Sequence, residues 1–200
     1  LRQQTEKQTG KPSRCLADFV APHLDAQGKP TQLKDYVGVF AVTAGIGVEK
    51  REQAFEAAHD DYSAIMLKAL ADRFAEAFAE CMHERVRKDL WGYAAHEKAG
   101  LEELIAEKYQ GIRPAPGYPA CPDHSVKKQM FELLQCKEIG MNLTSSLAMT
   151  PAASVSGFYL SHPESQYFNV GKVGEDQVQD LAKRQNLKVA DIQRLLAPNL

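Results

Sequence analysis

The feature that most limits how this chain can fold is the long helical pattern between Glu49 and Leu90. Phe55, Ala58, Tyr62, Ile65, Ala69, Phe74, Phe78 and Met82 recur near helical spacing, with charges between them. One continuous helix over that run would be about 60 Å long at 1.5 Å per residue, too long for a compact domain of this size. Asp60 and Asp61 each suit an N-cap. The pattern therefore predicts two helices, with a break near His59-Asp-Asp61.

The segments around this run do not alternate strand with helix. Leu1 to Lys34 reads as loop, with Gly10, Pro12, Pro22, Gly28 and Pro30 as breakers, and Cys15 to Val20 as a short strand or helical turn. Tyr36 to Thr43 is apolar on both alternating faces, the pattern of a strand covered on both sides, and Ala44-Gly-Ile-Gly47 ends it. A third helix is expected from Leu101 to Tyr109, with Gly111 as its closing glycine. Further helices are predicted over Lys127 to Lys137, stopped near Gly140, and over Glu175 to Gln185 and Val189 to Leu196. Strands are predicted over Leu143 to Thr150, Ser154 to Leu160 and Tyr167 to Val173. This order predicts an α+β fold rather than a doubly wound sheet. The sequence contains no internal repeat and no low-complexity tract.

Charge and cysteine usage narrow the function. Twenty-four Lys and Arg face 26 Asp and Glu, a formal net charge of −2. Bulk attraction to nucleic acid or to a membrane surface is not expected from such a balance. No apolar run approaches the roughly 20 residues needed to span a bilayer. Leu1 to Arg14 is polar and basic, unlike a signal peptide, and the absence of an initiator Met suggests an excerpt of a longer chain. Cys15, Cys81, Cys121 and Cys136 lie far apart with no C-x-x-C pair, which reads as reduced thiols in a cytoplasmic protein.

Most short motifs have a plain structural explanation. His83-Glu84 begins like the zincin pattern, but the final position is Arg87, so no metal site is argued. Ala44-Gly-Ile-Gly47 lacks the third glycine of a dinucleotide loop and reads as a strand-to-helix turn. Gln177 to Leu196 has the apolar spacing of a helix-turn-helix. Acids and bases cancel over Glu175 to Leu196, four of each, so two helices closing a domain edge fit better than a DNA reader. Asp72 and Glu76 lie one helical turn apart on a face lightened by Ala71, Ala75 and Ala79. That face could admit a cation or simply meet solvent.

Arg113-Pro-Ala-Pro-Gly-Tyr-Pro-Ala-Cys-Pro122 is the unusual segment. Arg113, Ala115, Tyr118 and Cys121 each precede a proline, which drives them into extended geometry. The result is a stiff strip whose backbone groups neither helix nor sheet would use, open to a small ligand at low ordering cost. Arg113 offers a planar fork for a carboxylate, and Tyr118 a ring and a hydroxyl. A proline-rich connector accounts for the segment equally well.

Gln110 to His124 also closely resembles the R-x-x-x-G-Y-P signature of the activation domain of cobalamin-dependent methionine synthase. Tyr36 to Gly45, His59 to Lys88, Trp91-Gly-Tyr93, Ser154 to Phe168 and Leu196-Ala-Pro-Asn-Leu200 are similar to the same domain. The resemblance covers essentially residues 1–200 and implies an α+β, C-shaped single domain with a bent antiparallel sheet and flanking helices. It implies binding of S-adenosylmethionine, whose methyl group, with one electron from flavodoxin or a similar donor, restores methylcobalamin after oxidation. By the same resemblance Arg113 holds the ligand carboxylate, and Ala115 and Tyr118 line the site. Tyr167 and Phe168 complete the pocket, with Asp72 and Glu76 as acidic positions near it. Cobalamin and zinc are expected on other modules, with no catalytic acid or base here. Neither nucleic acid nor a membrane is expected as a partner. The family's domain begins well before Leu1, and an aspartate of that stretch is expected to touch the ligand. A helix-turn-helix nucleic-acid binder and a ligand-free docking module for a flavodoxin-type partner are the alternatives.

Overall fold

The computed structural model describes residues 1–4 and 12–200. Gly10, one of the expected breakers, lies outside the described residues. The chain divides into two compact units, each assembled from separated stretches. The first comprises Leu1–Gly38, Gln110–Val126 and Phe158–Leu200; the second comprises Val39–Tyr109 and Lys127–Gly157. Helices and short antiparallel strands occur without βαβ alternation, so the fold is α+β.

The second unit is built on a helical pair. Helix α1 spans Val48–Ala57 and α2 spans Asp61–Arg85. The break falls where the sequence predicts it. His59 adopts a left-handed φ of 56°, and the Asp60 side chain accepts a hydrogen bond from the Ser63 N–H at 3.0 Å, as an N-cap. Lys68 on α2 reaches Glu52 on α1 at 2.6 Å.

The burial of α2 runs opposite to ordinary amphipathic logic. Ala64, Ala71, Ala75 and Ala79 face inward, whereas Tyr62, Ile65, Phe74 and Phe78 are exposed. Small side chains let neighbouring backbone approach closely, and the large ones are left outside. The inward row Ala71, Ala75, Ala79 continues at the same four-residue step to His83 and Arg87, both fully buried. A π-helical turn, Val86–Leu90, follows, with the Trp91 N–H reaching back to the Val86 carbonyl at 3.0 Å.

Strand β1 begins at Gly38 rather than Tyr36 and runs to Thr43. Tyr36 and Val37 are exposed, while Phe40 and Val42 are buried with half-buried neighbours, so one face is covered more fully than the other. Gly45 is required by packing rather than by phosphate binding: a Cβ there would lie 2.4 Å from the Pro151 side chain. The third helix, α3, ends at Ile105, because Glu107 turns left-handed (φ 52°) and closes it four residues before Gly111. Helix α4 covers only Lys127–Leu133; left-handed Gln135 breaks the register, and a 3-10 turn, Cys136–Ile139, leads to Gly140.

The expected strand from Leu143 to Thr150 is instead a hairpin. Strands β2 (Asn142–Leu143) and β3 (Met149–Thr150) pair in antiparallel register. The Thr144 hydroxyl accepts the Ala148 N–H at 3.0 Å, and Leu147 takes a φ of 66°. A local side-chain bond of this kind competes with an extended ladder. Strand β4, Ser154–Tyr159, pairs with β1, and the Ala44 N–H donates to the Ala153 carbonyl beside that pair.

In the first unit, α5 (Glu175–Gln185) and α6 (Val189–Leu195) contact each other across a turn that starts at left-handed Asn186. Val178, Leu181, Ala182, Ile192 and Leu196 close a core with Val170 and Val173. Cys15 to Val20 contains a 3-10 turn, Leu16–Phe19, the helical of its two expected forms. Tyr167 to Val173 is not a ladder strand. Its N–H groups serve loops instead: Val170 donates to the Pro119 carbonyl at 2.9 Å and Val173 to the Asn199 carbonyl at 2.7 Å.

Candidate functional site

The proline strip lies in the first unit and is held at both ends. Ile112 and Leu160 exchange both backbone hydrogen bonds at 3.0 Å, and the Phe158 N–H donates to the Pro114 carbonyl at 2.9 Å. Further along, the Gly117 N–H donates to the Cys121 carbonyl at 2.7 Å and the Cys121 N–H to the Tyr118 carbonyl at 2.9 Å. More of the strip's backbone is therefore engaged than the sequence suggests. These bonds fix its course, and Pro114 behind it is fully buried. Arg113 and Ala115 stay half-buried, and Tyr118 stands exposed.

Tyr167 is brought to the same place from 54 residues away. Its hydroxyl accepts the Arg113 backbone N–H at 3.1 Å, so the tyrosine and the arginine share one fixed geometry. Phe168 packs against the core of Val170, Val178 and Ile192 and against Phe19, Leu160 and Ile112, the residue next to Arg113. It backs the site from within the core. Asp72 and Glu76 belong to α2 in the second unit. There Asp72 lines a cleft of about 730 Å³ with Gly45, Glu49, Lys68 and Ala153, while Glu76 is exposed one turn on and does not line it.

Two groups in the first unit were not singled out from the sequence. Asp123 is buried; its carboxylate accepts the Ser125 N–H at 2.7 Å, the Ser125 hydroxyl at 2.9 Å and the Gln185 amide at 3.1 Å. It ties helix α5 to the end of the strip. The Asp-x-Ser spacing of an Asx turn was the readable signal. His124 lies over Gly117, where a Cβ would come within 2.1 Å of its ring. Gly117 also has a φ of 97°, closed to side-chain-bearing residues. Gly117→Ala is expected to cost about 1 kcal/mol or more of stability. Removing the His124 ring in the same chain should restore only the part due to the clash, and urea melts of the single and double variants measure the division.

The strip carries no activated nucleophile. Burial, aided by the Asp123 charge, pushes the Cys121 thiol up to about 11, so it remains protonated at neutral pH. The four cysteines are free thiols. Among the described residues no group of three or more His, Cys, Asp or Glu could hold a metal ion, and no helix is long and apolar enough to cross a membrane.

The second unit contains a buried polar cluster that motif reading missed. The Arg87 guanidinium donates two hydrogen bonds to Glu97, both at 2.8 Å, and stacks over the Tyr109 ring at 3.8 Å. His83 lies 3.2 Å from the Tyr93 hydroxyl, and burial pushes that hydroxyl up to about 12. The inward alanine row was the signal: its next two positions are His83 and Arg87.

A proline-stiffened strip, turned over residues 116–121 and backed by a core, carries Arg113, Tyr118 and Tyr167 within an α+β fold. The family described as "Vitamin B12 dependent methionine synthase, activation domain" matches residues 1–186, and the chain belongs to that family. A solved structure described as the "MetH Reactivation Domain bound to AdoHcy" is 59% identical, with a TM-score of 0.93. The match covers 100% of this chain and 60% of that one, so the chain spans about three fifths of its length.

Proposed function

We propose that this chain is the larger part of an activation domain that binds S-adenosylmethionine and presents its methyl group for reactivation of B12-dependent methionine synthase. The observation that carries this reading is the relative described as bound to AdoHcy, 59% identical over the whole chain. The first unit supports it with groups suited to such a ligand. Arg113 would take the carboxylate, Ala115 and Tyr118 would line the ligand, and Tyr167 would hold Arg113 in register; Asp72 and Glu76 are proposed to contribute from α2. Cobalamin, bound elsewhere, supplies the methyl acceptor. The protein's own task is positioning, since displacement at a sulfonium methyl requires no acid or base from this chain. Homocysteine activation at zinc, the cobalamin module and the encounter with a flavodoxin-type donor belong to the longer cytoplasmic enzyme.

The test is thermal unfolding of the whole enzyme's activation region with increasing S-adenosylmethionine or AdoHcy. A ligand at about 100 times its Kd should add roughly 2.7 kcal/mol. A melting temperature that does not move with either ligand overturns the proposal. The helix-turn-helix alternative is disfavoured because the family matched over residues 1–186 is an activation domain and because acids and bases balance over Glu175–Leu196, four of each. Duplex DNA should accordingly give no salt-dependent binding.

A further inference from the structure

Tyr118 is 62% exposed, so its direction is set by the backbone that carries it. That backbone is a tight turn. The Tyr118 N–H reaches the Ala115 carbonyl at 3.3 Å, the Gly117 N–H the Cys121 carbonyl at 2.7 Å, and the Cys121 N–H the Tyr118 carbonyl at 2.9 Å. The Val170 N–H pins the far limb through the Pro119 carbonyl at 2.9 Å, and Gly117 holds a φ of 97°. Each such bond adds little net stability where water can replace it. The turn is also braced by His124. The ring edge carrying Nδ1, Cε1 and Nε2 fills the place that a Cβ of Gly117 would take, directly beside Tyr118. Asp123 is buried, and its carboxylate accepts the Ser125 N–H and hydroxyl, which closes the backbone around His124. The Gln185 amide donates to the same carboxylate at 3.1 Å. It fastens this bend to α5, a helix held in the core by Val178, Leu181 and Ala182.

We infer that His124 is a positioning residue for the ligand site: its ring, placed by Asp123 and Gln185, fixes the turn that aims Tyr118. The inference rests on the proposal that Tyr118 lines an S-adenosylmethionine site, and it adds a residue that acts on the ligand only through its neighbours. A line of contacts runs from α5 through Asp123 and His124 to Gly117 and ends at Tyr118. A side chain ordered before the ligand arrives costs nothing further to order on binding. Without the ring, Tyr118 would sample several directions, and the ligand would bind only the fraction of molecules in which one of them is correct.

Hydrogen-exchange mass spectrometry on the ligand-free full-length enzyme tests the brace, and AdoHcy calorimetry on the same proteins tests its consequence. In His124→Ala, the peptide holding the Gly117, Tyr118 and Cys121 amides should exchange at least about tenfold faster, while peptides from α5 and around Leu160 keep their rates. AdoHcy affinity should fall about three- to tenfold, the cost of ordering one side chain on binding. Tyr118→Ala should lose affinity as well. Adding His124→Ala to it should change affinity by less than about 1.5-fold, since the ring acts through the tyrosine. Gln185→Ala, at an exposed position, should quicken the same peptide by a smaller factor, and it serves as the measure if His124→Ala does not fold. Exchange that is unchanged, or that quickens evenly across all peptides, overturns the inference. So do unaltered affinity in His124→Ala and additive losses in the double variant. A parent enzyme that does not bind AdoHcy counts against the proposed function. A parent that binds it, with exchange that quickens evenly in the variant, counts against this inference alone.

Discussion

Replacing Glu97 by alanine is expected to destabilise the fold by about 3–5 kcal/mol, the range for stripping one partner from a buried ion pair. The Arg87 side chain is fully buried, and both of its short hydrogen bonds to a carboxylate go to Glu97. Glu80 stands 3.9 Å away, too far to replace a paired bond. Tyr109 offers only its ring face. The loss therefore arises mainly from a buried cation left with only Glu80, 3.9 Å away, as its counter-charge. For a chain of this length it corresponds to a fall of about 6–20 °C in melting temperature. Glu97→Gln, which keeps one acceptor, should fall between variant and parent. The double replacement Arg87→Met/Glu97→Met should be milder than Glu97→Ala, since it removes the charge along with its partner. A melting temperature within 2 °C of the parent for Glu97→Ala would show that the pair does not hold this region together.

Arg113→Ala should weaken S-adenosylmethionine binding by roughly 1.5–3 kcal/mol, as for a lost hydrogen bond to a charged group. That is about tenfold to somewhat over a hundredfold in Kd. The fold should survive, because the bond to the Tyr167 hydroxyl is made by the Arg113 backbone N–H, which alanine keeps. Calorimetry on the full-length enzyme measures the affinity. A time course of methionine formation under reducing conditions measures the consequence: initial turnover should be normal and its decay faster, as oxidised cobalamin goes unrescued. Unchanged affinity would remove Arg113 from the site. Abolished initial turnover in a folded protein would contradict the division of labour between modules.

Local rules were readable in the sequence wherever one residue type does one job. Asp60 announces the helix break because a carboxylate bonding the Ser63 N–H needs only local geometry. Proline makes the restriction of Arg113 to Pro122 readable, though not the hydrogen bonds to Phe158 and Leu160 that hold its start. Reading failed where a distant partner decides the outcome. Tyr167 to Val173 has strand composition, yet Pro119 and Asn199 take the Val170 and Val173 N–H groups. The contact of Tyr167 with Arg113 joins positions 54 apart, which no spacing rule reaches. Periodicity located α2 but not its orientation, since a pattern score rewards bulk and the tight side of this helix is lined by alanine. Following the alanines instead of the aromatics would have led directly to Arg87.

The order in which the first unit is assembled bears on how the chain is made. Ile112 leaves the ribosome well before Leu160, the residue whose backbone it pairs with, and Tyr167 comes later still. At about 5–20 residues per second the strip waits roughly 2–10 s for that partner. Val173 in turn needs the Asn199 carbonyl, and fully buried Leu196 seals the same core. During that interval the prolines limit the strip's conformations before any partner arrives, because their own rings fix their φ. A sequence with fewer prolines would spend those seconds as a loose apolar tether beside a growing chain.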